Sequence, residues 1–267
     1  MNLEALSYEL GRIVGKRVLV KPLAWYRGRA LGFDVTAFGT EHLVEISTDT
    51  SFLLVSNHIA ASRSELWPLA HLPYFRQYHH STDSFVFDRI VSHYTGRTIQ
   101  TVAICGAAWI SPRPLRRWIQ QRIGQPFARG QMEAMPGYIA VEKQPGAYQR
   151  RFLKAIDQTV SRHDPILIFP MIGGSQSDVR LDMGAAHLAL KHKLQILPAC
   201  IVGSESWRAG SKVTVAFGKS FSALGMSKDD INAQIADRIT SLQAIYSKIH
   251  ADGMHNPSVK RAPAAVT

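Results

Sequence analysis

The chain has 267 residues, with 31 basic and 20 acidic side chains and a formal net charge of +11. That length suits one large domain or two small ones, the apolar content fills a sizeable core, and two cysteines exclude a disulfide scaffold. Met1 to Leu10 lacks a basic start before an apolar core, and no apolar run is long enough for a bilayer, so a cytoplasmic setting is expected. The positive charge calls for an anionic partner: a phospholipid surface, nucleic acid, or a phosphorylated or acidic carrier. No helix-turn-helix, zinc-finger or RNA-binding signature is present, which disfavours nucleic acid.

Residues 3 to 31 read as mainly helical and basic. Between Arg12 and Arg29, basic residues alternate with Val18, Leu19, Val20, Leu23, Trp25 and Tyr26, a mixture that suits a membrane interface or a solvated face beside a core helix. Leu31 to Val35 and Glu41 to Ile46 read as short strand or turn segments around the break at Gly39. Phe52 to Val55 is a buried strand. After it, Ser64 caps an expected helix from Glu65 to Leu72, with Glu65 at its positive end and Pro68 in its first turns.

Residues 73 to 136 read as loop-rich. They hold an apolar stretch from Thr101 to Ile110 and a basic amphipathic piece containing Arg113, Arg116, Arg117, Trp118 and Arg122. His79, His80, His93 and Asp83 lack metal-ligand spacing, so no metal site is expected. From Gly137 onward strands and helices alternate: a strand at Tyr138 to Val141, a helix at Ala147 to Arg162, a strand at Ile166 to Phe169, and a helix at Met183 to His192. Strands at Ile196 to Val202 and Val213 to Phe217 follow, with Cys200 as a reduced core residue. A long helix from Ser227 to His250 carries a stripe of Ile231, Ile235, Ile239, Leu242 and Ile249. The pattern predicts an α/β fold with a largely parallel or mixed sheet flanked by helices, one domain over residues 1–252, and a disordered tail from 253.

The chemistry concentrates at Asn57 and His58, directly after the first buried strand. A histidine at a strand end and a carboxylate on the next helix form a base and its orienter, and Glu65 stands seven residues after His58. On this segment alone, an ordinary loop or core histidine is the competing reading.

In this order the segments resemble the glycerolipid acyltransferase superfamily, whose best-known members are the 1-acylglycerol-3-phosphate acyltransferases. The resemblance runs from about Gly32 to Ser222. Gly39-Thr40-Glu41-His42-Leu43 matches the family's lead-in and Leu54-Val55-Ser56-Asn57-His58 its first motif. Gly137 to Lys143 is similar to the second motif, and Ile166-Leu167-Ile168-Phe169-Pro170 opens the third. Met183 to Leu190 is similar to the helix beyond, Leu197-Pro198-Ala199-Cys200-Ile201 to the fourth motif, and Phe217-Gly218-Lys219 to the final strand and glycine.

The departures are informative. The family's His-x4-Asp motif would put its aspartate at Arg63, so a small loop insertion with Glu65 as the equivalent carboxylate is expected. The third motif continues here as Met171-Ile172-Gly173-Gly174-Ser175, without the glutamate and arginine that grip a glycerol phosphate. Gly173 and Gly174 either bring backbone N–H groups to an oxyanion or form an ordinary turn. Lys143 keeps the charge of the second-motif arginine without its planar fork, and Arg180 is the best compensating cation.

The resemblance implies an acyltransferase with His58 and Glu65 as catalytic residues and Asn57, Lys143, Gly173, Gly174, Ser175 and Arg180 at the substrate. The donor would be acyl-CoA or acyl carrier protein, with no other cofactor, and the protein would sit peripherally on the inner face of the cell membrane. The missing phosphate grip favours a hydroxyl or amine acceptor without a terminal phosphate monoester. The competing function is a degenerate member that binds acyl chains or a carrier protein without catalysis.

Overall fold

The computed structural model describes residues 2–16, 32–46, 50–58, 81–104, 113–134, 137–141, 147–172, 180–181, 184–204 and 210–255. In chain order they form helix α1 (Leu3–Val14), strand β1 (Asp34–Phe38), helix α2 (Glu41–Glu45), β2 (Phe52–Ser56), α3 (Ser81–Thr95) and β3 (Gln100–Ile104). Then come α4 (Pro114–Ile119), a π-helical turn at Gln120–Gly124, α5 (Gln125–Ala134), β4 (Tyr138–Val141), α6 (Ala147–Ser161) and β5 (Ile166–Ile168). The last elements are β6 (Met171–Ile172), β7 (Arg180–Leu181), α7 (Gly184–His192), β8 (Gln195–Val202), β9 (Lys212–Phe217), β10 (Phe221–Ser222) and α8 (Lys228–His255). The chain separates into two compact units, residues 1–26 with 100–161, and residues 27–99 with 162–267.

The second unit is built on the strand order β1-β9-β8-β2-β5. β2 pairs in parallel with β5 and β8, and β1 with β9, whereas β8 and β9 are antiparallel. The fold is therefore α/β with a mostly parallel sheet, as the alternation of strands and helices predicts. β2 lies between two parallel neighbours and every one of its residues is buried, which is why its sequence is an unbroken apolar run. Phe52 and Leu54 join Val86, Phe87, Ile90 and Val91 of α3 in one core. The other face of the sheet meets α8, where the Thr214 hydroxyl and His250 Nδ1 are 2.9 Å apart.

Ile231, Ile235 and Ile239 are fully buried along the expected stripe of α8. Ser227 caps that helix by accepting the Asp230 N–H at 3.1 Å. Pro198 sits in the middle of β8, where a missing N–H would normally break the ladder. It is accommodated because the neighbouring edge is interrupted there between β9 and β10, and the Gly218 N–H bonds to the Pro198 carbonyl at 2.8 Å.

Two expectations change. Glu41 to Ile46, read as strand or turn, is helix α2. Gly39 bends the chain at φ +66°, and His42 and Leu43 close helical hydrogen bonds back to Gly39 and Thr40. The stretch 73–136 contains regular structure: α3 belongs to the second unit and β3, α4 and α5 to the first. The expected helix from Glu65 to Leu72, residues 17–31 and the tail beyond His255 lie outside the described residues.

Cys200 is buried in β8, and desolvation pushes its thiol up to about 12 against a smaller opposing effect of a hydrogen bond with the Ala216 backbone. Native protein at pH 8 should therefore leave Cys200 unlabelled by iodoacetamide, and denatured protein should label it fully, as read by peptide mass. Rapid native labelling would show that β8 opens.

In the first unit β3 and β4 pair in parallel from Thr101↔Tyr138 to Ile104↔Val141. Helices α1 and α5 touch backbone to backbone. A Cβ added at Gly11 would strike the Phe127 carbonyl, and one at Gly130 the Tyr8 carbonyl. Backbone atoms cannot swing aside, so Gly130→Ala should destabilise the unit by about 1–3 kcal/mol in urea unfolding. An unchanged midpoint would mean that the two helices separate at little cost.

Candidate active site

Three parallel strands of the second unit, β2, β5 and β8, end at the same edge, the position where open α/β sheets bind ligands. Asn57 and His58 follow β2 at that edge. Asn57 is 3% exposed. Its side-chain amide donates to the Ile201 carbonyl at 2.9 Å and accepts the Ile201 N–H at 2.8 Å. The asparagine thus supplies the next rung of the β2–β8 ladder after the strand itself has ended. It fixes the chain direction at His58.

His58 Nδ1 donates to Asp83 Oδ2 across 2.7 Å. Asp83 lies in the first turn of α3 and is 2% exposed, while the His58 side chain is 15% exposed. The burial has a local cause. Asp83 occupies the same helical stripe as Val86, Phe87, Ile90 and Val91, which faces the core. The positive end of the helix favours a carboxylate there. Asp88, the second buried carboxylate of α3, serves the chain and not the histidine. Its Oδ1 accepts the Ile99 N–H at 3.1 Å and so closes the turn after the helix.

The other side of the histidine is aromatic. Its ring lies 4.7 Å from that of Phe169, which follows β5, and Phe169 continues to Phe87 at 6.3 Å and Phe87 to Phe217 at 6.1 Å. A carboxylate on Nδ1 sets the tautomer that leaves Nε2 as the proton acceptor. The aromatic wall holds the ring plane.

The structure brings together Asn57 and His58 from the expected set. Glu65, Lys143, Gly173, Gly174 and Ser175 lie outside the described residues. The backbone of Arg180 in β7 pairs with Ile172 of β6. Local spacing misses Asp83, the carboxylate on Nδ1, and offers it only as a metal ligand. The signal that finds it is an acidic residue at the start of an apolar helical stripe.

A part-buried histidine on a buried aspartate at the carboxyl edge of a parallel sheet is an arrangement able to take and return one proton. No protein-family model and no curated protein matches the chain. Among solved structures it is similar to the crystal structure of the 1-acyl-sn-glycerophosphate acyltransferase PlsC from Thermotoga maritima, at 14% identity and a TM-score of 0.46, over 91% of this chain and 95% of that one.

Proposed function

We propose that the protein is an acyltransferase of the glycerolipid acyltransferase superfamily, moving a fatty acyl group from acyl-CoA or acyl carrier protein to a hydroxyl or amine of a lipid-like or natural-product acceptor. The observation that supports this most is the 2.7 Å contact between His58 and Asp83, placed directly after the Leu54–His58 motif. His58 Nε2 takes the acceptor proton as that oxygen or nitrogen attacks the thioester carbon. Asp83, already bonded to Nδ1, stabilises the imidazolium, which then protonates the departing thiolate. The tetrahedral oxyanion needs N–H donors, a role assigned to Gly173, Gly174 and Ser175. Asn57 acts by position through Ile201. Asp83 takes in this reading the orienting role that local spacing offers to Glu65.

The acceptor in this reading lacks a terminal phosphate monoester, because the third motif carries no glutamate or arginine. The test is a panel of acyl-CoA and acyl-carrier donors against lipid and amine acceptors, read by mass spectrometry. Transfer to any acceptor supports the reading, and preferred acylation of lysophosphatidate would overturn the acceptor assignment. Acyl-chain binding without transfer across the panel would favour the non-catalytic alternative.

A membrane-surface location fits the first unit. No described helix is long and apolar enough to cross a membrane. Helix α1 exposes Leu3, Leu6, Leu10 and Ile13, each by 41–53%, and α4 exposes Leu115, Trp118 and Ile119 among Arg113, Arg116 and Arg117. Arg122 ties the segment after α4 to α1 through Glu4 at 2.5 Å. Apolar side chains framed by arginines and a tryptophan suit an anionic bilayer interface. The protein should sediment with anionic vesicles at low salt and less at high salt. Leu6→Glu with Leu10→Glu should lower partitioning at least tenfold, since burying one leucine contributes about 1.5–3 kcal/mol. Unchanged partitioning would remove α1 from the membrane face.

A further inference from the structure

The first unit contains a cavity of about 260 Å³ between α5, β4 and α6, with Arg129, Glu133, Tyr138, Arg151, Lys154 and Gln158 in its wall. The side chain of Arg129 is 8% exposed, and its Nε lies 3.8 Å from Glu133 Oε1. Its guanidinium stacks over the Tyr8 ring at 4.7 Å, and that of Arg151 lies 6.0 Å from the same ring. Lys154 follows Arg151 by about one turn of α6. Glu133 is the only carboxylate among the described lining residues, and its Oε2 already accepts the Tyr8 hydroxyl at 2.5 Å. Burial, followed by that bond to Glu133, raises the Tyr8 pKa, so the hydroxyl stays a neutral donor.

Among the described residues, three cations thus share a concave wall with one carboxylate. A recessed site concentrates the field of the cations that share it. The arginine fork matches phosphate oxygens in pairs. The volume falls below the roughly 300–1,000 Å³ of sites that enclose whole drug-sized ligands, so it fits a charged group and not an acyl chain.

We propose that this cavity binds a phosphate group, as a monoester or diester, through Arg129, Arg151 and Lys154. None of its lining residues belongs to the unit that holds the histidine–aspartate pair, and its occupancy does not depend on acyl transfer. The phosphate belongs either to a soluble coenzyme or to a lipid headgroup. Calorimetry on the full chain with inorganic phosphate, coenzyme A, dephospho-coenzyme A and a short-chain soluble phosphatidic acid separates the sources.

At least one probe should bind, and Arg151→Ala with Lys154→Ala should weaken it about tenfold or more, the loss expected for charge-assisted contacts. Both side chains are exposed, so the double variant should fold, which its unfolding midpoint checks. Preference for coenzyme A over dephospho-coenzyme A supports a soluble source, and preference for phosphatidic acid supports a headgroup. The His58→Ala protein should bind as the wild type does, which keeps this result distinct from any failure of acyl transfer. No binding of any probe, or equal affinities for wild type and double variant, overturns the proposal.

Discussion

His58→Ala is expected to reduce acyl transfer by about 10²–10⁴-fold, the range contributed by a positioned general base, while the protein stays folded. Asp83→Asn should act through the same histidine. It preserves shape in a site only 2% exposed but removes the charge that answers the imidazolium. Because Asp83 touches His58, its loss should fall on kcat with little change in KM. Asp88→Ala is the control. That carboxylate holds the Ile99 N–H, so its loss should lower the unfolding midpoint and leave the rate per folded molecule nearly intact. A His58→Ala protein with full transfer, or an Asp83→Asn protein with unchanged kcat, would show that the pair is structural.

The second large effect is expected at Asn57. Asn57→Ala leaves the Ile201 N–H and carbonyl without the partners now at 2.8 and 2.9 Å. Each buried polar group left unpaired costs about 1–3 kcal/mol, so urea unfolding should shift strongly. Transfer should fall as well, because the chain at His58 loses its anchor and a misplacement of about 1 Å can cost about 10²-fold. Asn57→Asp should not rescue it, since a carboxylate would face the Ile201 carbonyl oxygen. Wild-type stability in Asn57→Ala would show that β2 and β8 hold this edge alone. Lost transfer with intact stability would instead return Asn57 to the substrate.

Much of the α/β framework is legible in the chain because its signals are local. Phe52 to Val55 is apolar without interruption because both neighbouring strands are parallel and both faces are covered. The stripe of Ile231, Ile235 and Ile239 and the cap at Ser227 define α8 without reference to any other element. The same holds for Asn57 and His58, which stand where an apolar strand gives way to polar residues.

Which groups meet was decided by the packing. Local spacing points from His58 to Glu65, but the carboxylate on Nδ1 comes from Asp83, 25 positions along the chain. No periodicity encodes that closure, because it depends on where α3 docks against β2 and β5. Segment length hides α2: the short run from Glu41 to Ile46 fits a strand or one helical turn equally, and the positive φ of Gly39 with its returning hydrogen bonds settles it. The stretch around Gly130 reads as loop-rich, and the need for glycine at 11 and 130 shows only where α1 and α5 come within backbone contact. The segments that must be buried, and most of their secondary structure, follow from each segment's own apolar pattern and need no partner to define them. The pairing of His58 with Asp83 and the gathering of Arg129, Arg151 and Lys154 depend on distances between remote segments, and those exist only once the chain has packed.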